Sequence, residues 1–136
     1  MLMTEGKNRI LIAEDDERTK HALGRALVME FNAKICGAST RAEALRAIET
    51  SRGEICVIIT DINMPSSEDG NAVVRRAIEE NIPVIVTTAV PELVRREVRG
   101  NCLGILCKPI DLETLFKKIE SVIPEPLQSS DRAPRT

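Results

Sequence analysis

The sequence predicts an α/β fold, a doubly wound five-stranded parallel sheet with helices on both faces, and three observations predict it. Five short apolar runs alternate with amphipathic stretches of helical period, the pattern of successive strand-helix units. The runs are apolar without alternation, as in strands covered on both sides. Polar residues stand where the runs end: Glu14 and Asp15 after the first, Asp61 after the third, Thr88 after the fourth and Lys108 after the fifth. Parallel strands bring all five to one edge, where open α/β sheets bind ligands.

Residues 9–13 (RILIA) form the first strand, and 17–30 a helix with Ala22, Leu23, Ala26, Leu27 and Val28 at helical spacing. Residues 33–38 form a second strand, weakened by Gly37. Ser39 or Thr40 caps the next helix, Glu43 is placed to close a capping box, and Gly53 ends it. Residues 55–60 (ICVIIT) are the central strand. A turn containing Pro65 and Gly70 precedes a third helix over 71–80. Pro83 opens a fourth strand at 84–87, and a short helix over 91–99 accepts Pro91 in its first turn. The fifth strand covers 102–107, and a fifth helix, capped by Asp111, covers 112–122. Right-handed crossovers make this a three-layer sandwich. The chain divides into an N-terminal extension at 1–8, one domain at 9–122 and a tail at 123–136. With Pro124, Pro126 and Pro134 among polar residues, that tail is expected to be disordered.

Composition excludes several classes of function. The 136 residues suit one domain that buries about two-thirds of its unfolded surface. Trp and Tyr are absent and Phe occurs only at 31 and 116, so base or flavin stacking has little to work with. Nineteen basic against 21 acidic residues, a formal charge of −2, give no global attraction to nucleic acid or an anionic membrane. Cys36, Cys56, Cys102 and Cys107 form no Cys-x-x-Cys pair, and His21 is the lone histidine, expected to be an ordinary surface or half-buried residue; a zinc site lacks ligands. The thiols read as buried, reduced small hydrophobes in a cytoplasmic protein. No stretch has the ~18 apolar residues of a membrane span.

The polar edge carries the chemistry. A carboxylate on a rigid strand end, such as Asp61, can attack phosphorus and form an acyl phosphate. With Glu14 and Asp15 beside it, three carboxylates repel unless a divalent cation neutralises them. Magnesium, which takes oxygen ligands and keeps waters and phosphate oxygens, suits that set. Lys108 offers a point charge and Thr88 a hydroxyl to phosphoryl oxygens, and Pro109 can fix the lysine through a cis bond.

The motifs ILIAEDD at 10–16, DINMP at 61–65, PVIVTTA at 83–89 and CKPI at 107–110 together resemble the receiver domains of two-component response regulators, over about residues 8–122, in the stand-alone, chemotaxis-regulator-like form. The resemblance implies a flavodoxin-like strand order 2-1-3-4-5. It implies that Asp61 accepts a phosphoryl group from a histidine kinase or phosphotransfer protein in a phosphorelay. Magnesium would be held by Glu14, Asp15, Asp61 and the backbone carbonyl of Asn63, with Asp16 a neighbour. Thr88, preferred to Thr87 because Ala89 follows it, would act with Ala89 and Lys108 in phosphate binding and switching. A conformational switch would then control a downstream protein target. Neither direct nucleic-acid binding nor membrane binding is implied, nor any enzyme activity beyond self-phosphorylation and self-dephosphorylation.

The chain departs from the family pattern in four places. Ile105 stands where an aromatic switch residue is common. Val90 stands where a polar side chain often positions the hydrolytic water, which implies slow self-dephosphorylation. The turn SSED at 66–69 reads as one residue longer than usual, and the fourth helix as slightly short. Arg95, Arg96 and Arg99 read either as a solvated face or as a docking patch for an acidic partner. Two other readings are a degenerate receiver serving as a phosphorylation-independent interaction module, and an aspartyl-phosphate hydrolase. The hydrolase would place a second acid at position 63, where Asn63 stands.

Overall fold

A computed structural model describes residues 7–124, 127 and 128. Positions 1–6 of the expected extension, and positions 125, 126 and 129–136 of the tail expected to be disordered, lie outside the described residues. Five strands, β1 (Arg9–Ala13), β2 (Lys34–Ala38), β3 (Ile55–Asp61), β4 (Val84–Thr88) and β5 (Gly104–Cys107), form one parallel sheet in the order β2-β1-β3-β4-β5. The helices are α1 (Glu17–Glu30), α2 (Arg41–Ser51), α3 (Ser67–Glu79), α4 (Arg96–Arg99) and α5 (Leu112–Glu120). This is the flavodoxin-like arrangement expected from the sequence.

Two cores sandwich the sheet. On one face Leu11, Ile58 and Val86 meet Ala44 and Ile48 of α2, Val73, Val74 and Ala77 of α3, and Val98 of α4. On the other, Ile10, Ile12, Val57, Ile59 and Ile85 meet Leu23 and Leu27 of α1 and Leu115, Phe116 and Ile119 of α5. The second core holds the edge-to-face pair Phe31 and Phe116, ring centroids 5.7 Å apart. Every residue of β3 is buried, as its continuous apolar run requires.

The helix starts follow local capping. Asp16 accepts from the Thr19 amide at 3.2 Å, so its carboxylate serves α1. Both candidate cap residues of α2 take part: Thr40 Oγ1 accepts from the Glu43 amide at 3.1 Å, and the Ser39 amide donates to the Glu43 carboxylate at 2.8 Å.

Three expectations need correction. The third helix begins four residues before the expected 71. Ser66 donates through its amide and its hydroxyl to the Asp69 carboxylate, so SSED is the cap and first turn of α3 rather than a long turn. Gly70 therefore lies inside the helix, and it must be glycine: its amide donates to Ile62 O at 2.9 Å, and an added Cβ would overlap the Ile62 backbone. The expected helix over 91–99 is divided into a single 3-10 turn, Pro91–Leu93, two extended residues, and one turn of α4. Asn71 takes the Leu93 carbonyl and the Arg95 amide that a continuous helix would have used. Finally, the fifth strand starts at Gly104 and the fifth helix ends at Glu120, each two residues short of expectation.

Candidate functional site at the sheet edge

The edge residues are placed by strands. Asp61 closes β3 in register with Thr87, Thr88 closes β4 opposite Cys107, and Glu14 follows β1 with its amide bonded to Ala38 O at 2.9 Å. Asp61 and Thr88 occupy the last ladder positions of their strands, so each strand runs one residue further than the sequence suggested. Lys108 follows β5, its amide donating to Thr88 O at 2.9 Å, and the Lys108–Pro109 peptide is cis.

The structure brings the acidic trio together. One carboxylate oxygen each from Glu14, Asp15 and Asp61 lie within 4.8 Å of one another. Lys108 Nζ donates to Glu14 Oε1 and to Asp61 Oδ2, both at 3.0 Å. Asp61 Oδ1 accepts from the Asn63 amide at 3.2 Å, and Glu14 Oε2 from the Asp16 amide at 3.2 Å. Glu14 and Asp61 are buried, 3% and 6% exposed, whereas Asp15 is open to solvent.

Burial raises the Glu14 carboxyl above its ordinary range and the Asp61 charge adds to this, against the opposing pull of Lys108 and the Asp16 amide. Burial alone would lower Lys108, but its hydrogen bonds to Asp61 and Glu14 outweigh that and raise it. Lys108 is therefore held as an ammonium. Three carboxylates around one ammonium leave excess negative charge and unused oxygen donors, the set a hard divalent cation takes.

A pocket of ≈ 360 Å³ opens over these groups, lined by Asp15, Asp61, Asn63, Pro65, Thr88, Ala89, Val90, Leu93 and Lys108. The Thr88 hydroxyl is engaged elsewhere, donating to Val90 O at 3.2 Å and accepting from the Val90 amide at 3.0 Å. Ile105 is half-buried in β5, paired with Val86 and packed on the aliphatic core under α3 and α4.

The three arginines do not share one helical face. Arg95 precedes α4 and pairs with Glu68 of α3. Arg99 donates to Pro91 O at 2.8 Å and Val94 O at 3.0 Å. Arg96 is exposed at the first position of α4.

Of the cysteines, Cys56 is buried, Cys36 and Cys102 half-buried, and Cys107 exposed at the end of β5. The expectation of four buried thiols therefore holds fully only at Cys56, in part at Cys36 and Cys102, and fails at Cys107, which stands on the final ladder position of an edge strand. His21 is exposed on α1. Pro65, Leu93 and Asn71 were not anticipated at or beside the site. A polar residue between Gly70 and the apolar run 72–74 was the one available sign of Asn71.

Comparison with known proteins agrees with this geometry. The profile of the response regulator receiver domain matches residues 10–120. The two-component response regulator ORR21 of Oryza sativa subsp. indica is 27% identical over 118 residues, covering 85% of this chain and 17% of that protein; the chain spans only about a sixth of its relative. Among solved structures, the signal receiver domain of a modulated diguanylate cyclase from Desulfovibrio desulfuricans G20 is 28% identical, with a TM-score of 0.70 over 85% of this chain and 93% of that one. The response regulator TrrA of Thermotoga maritima shares the fold at 23% identity, with a TM-score of 0.72 over 84% and 97%. The chain belongs to the family of receiver domains of two-component response regulators.

Proposed function

We propose that this domain accepts a phosphoryl group on Asp61 from the phosphohistidine of a histidine kinase or phosphotransfer protein, and that the phosphorylated form controls binding of a downstream protein. The observation that carries this reading is the Lys108 ammonium seated 3.0 Å from both Asp61 and Glu14, inside a cluster of three carboxylates at the mouth of a pocket.

An oxygen of the Asp61 carboxylate attacks phosphorus. As the new P–O bond forms, the P–N bond to the donor imidazole breaks; its electron pair leaves with that nitrogen, which takes up a proton. Lys108 stays charged and offsets negative charge on the transferring oxygens. Asn63 fixes one Asp61 oxygen through its amide, so the carboxylate enters the reaction oriented. Glu14, Asp15, Asp61 and the Asn63 carbonyl would hold magnesium, which when bound neutralises the phosphoryl oxygens. TrrA was solved in complex with Mg(2+)-BeF, which supports the reading by analogy of fold. Thr88, Ala89 and Lys108 would then contact the phosphoryl group, and the exposed Arg96 would contribute to a docking patch together with Arg95 and Arg99.

Incubation with acetyl phosphate and magnesium tests this. Stoichiometric labelling that disappears in Asp61→Ala is the expected result. Continuous turnover would instead identify a hydrolase, and absence of labelling a phosphorylation-independent interaction module.

A further inference from the structure

Helix α3 buries Gly70, Ala72, Val73, Val74 and Ala77, and among them stands a primary amide, Asn71, only 1% exposed. Buried polar groups persist where their hydrogen bonds are made, and Asn71 spends its bonds on backbone. Nδ2 donates to Ser67 O at 2.8 Å and to Leu93 O at 2.9 Å, while Oδ1 accepts from the Arg95 amide at 2.9 Å. The last two bonds flank Val94, whose side chain is buried in the core. One side chain thus holds both peptide groups around Val94 and keeps that residue extended between the 3-10 turn and α4. The ion pair from Arg95 to Glu68 fastens the same point to the same helix from the solvent side.

The other end of this segment is tied to Thr88, whose hydroxyl bonds to both backbone groups of Val90. Residues 90–95 are therefore pinned twice, to Thr88 at the start and to Asn71 at the end. A threonine hydroxyl has one hydrogen. It cannot donate to a phosphoryl oxygen while it donates to Val90 O, so engaging a phosphoryl group frees the Val90 carbonyl. Ile105 has no polar group and sits in an aliphatic cluster.

We infer that Asn71 is a positioning residue: acting through residues 90–95, it keeps the Thr88 hydroxyl bonded to Val90, and release of this clamp is how phosphorylation is read out on this chain. The inference rests on the proposed acceptance of a phosphoryl group by Asp61. Val90 and Leu93 line the pocket over Asp61, while Leu93 and Arg95 bond to Asn71, so one short segment spans from the site to the surface beside α4. Removing the clamp raises the population in which the Thr88 hydroxyl is free of Val90 and open to the site, and a donor that needs that population then reacts faster.

The test uses the full chain with Asn71→Leu, which keeps similar volume and removes the three bonds, and Glu68→Gln, an exposed change that removes only the ion pair. Initial rates of Asp61 labelling by acetyl phosphate with magnesium are measured beside the thermal midpoint, and exchange of the Arg95 amide with and without beryllofluoride. The expected results are labelling about 3- to 10-fold faster in Asn71→Leu without a gain in thermal midpoint, and about twofold faster in Glu68→Gln. In the wild type, beryllofluoride should speed Arg95 amide exchange by about tenfold, a response lost in Asn71→Leu. A purely structural role would lower the midpoint and leave labelling unchanged or slower. Unchanged labelling in both variants, or an Arg95 amide indifferent to beryllofluoride in protein that labels normally, overturns the inference while leaving Asp61 as the acceptor. Wild-type protein that does not label overturns both. Should Asn71→Leu fail to fold, Glu68→Gln and wild-type exchange decide.

Discussion

The sheet edge and the segment 90–99 meet at Thr88 and are held by different interactions. At the edge, Asp61 is the last residue of a wholly buried strand, Glu14 directly follows another buried strand, and both are tied to one lysine. In the segment, only Val94 and Val98 are buried, and much of the rest hangs on side-chain bonds from Asn71, Arg95 and Arg99. Few buried apolar contacts and many solvent-facing bonds mark a region that opens locally before the whole domain does. The division between strand ends and loop thus sets a rigid region directly beside a looser one.

The largest effect should come from damage to the rigid side. Gly70→Ala forces a Cβ against the Ile62 backbone just beyond Asp61, and should cost about 3 kcal/mol, read as a fall in the denaturant midpoint. Loss of less than ~1 kcal/mol would mean the edge is softer than its packing suggests.

Thiol labelling compares the two regions directly. Burial pushes the Cys56 thiol up to about 11, which lowers its thiolate fraction about a hundredfold relative to an ordinary cysteine. Cys102, whose Sγ bonds to Val98 O at 3.3 Å beneath α4, is also raised by burial but lies under the looser segment. Among these three in native protein, Cys107 should react first, Cys102 next and Cys56 last. Equal rates for Cys102 and Cys56 would show that the segment opens only with global unfolding.

A smaller effect is expected from Arg99→Met, which removes two bonds to loop carbonyls and should cost about 1 kcal/mol. Its signature is faster labelling of Cys102 with Cys56 unchanged.

The smallest effect is electrostatic. The hydrogen bond and charge of Arg95 hold the Glu68 carboxyl below its ordinary value. A lowered carboxylate contributes stability above its unfolded pKa and loses it as pH falls through the folded value, so this contact weakens only in acid. Exposure and salt screening keep it small. Carboxyl titration by NMR should find Glu68 below the ordinary range in the wild type and returned to it in Arg95→Gln.

The fold was largely legible because strand runs and helical periods are local. Boundaries failed where a distant partner intervened. The break within 91–99 depends on a side chain of α3, and the early start of α3 on a Ser66 to Asp69 cap inside a stretch that reads as turn. The five polar edge residues were legible because each stands at or just after a strand end, and the parallel sheet then gathers them.

By itself the sequence determined the five-strand α/β architecture and the five polar residues that converge at its edge, since periodicity and strand ends are set by neighbours in the chain. Only the tertiary structure decided that Lys108 sits between Glu14 and Asp61, that Thr88 faces Val90, that Cys107 is exposed and that Asn71 clamps the following loop. Lys108 reaches Glu14 across 94 residues and Asp61 across 47, and Asn71 reaches Leu93 across 22. Contacts over such separations exist only once the sheet has brought the segments together, and no local pattern encodes them.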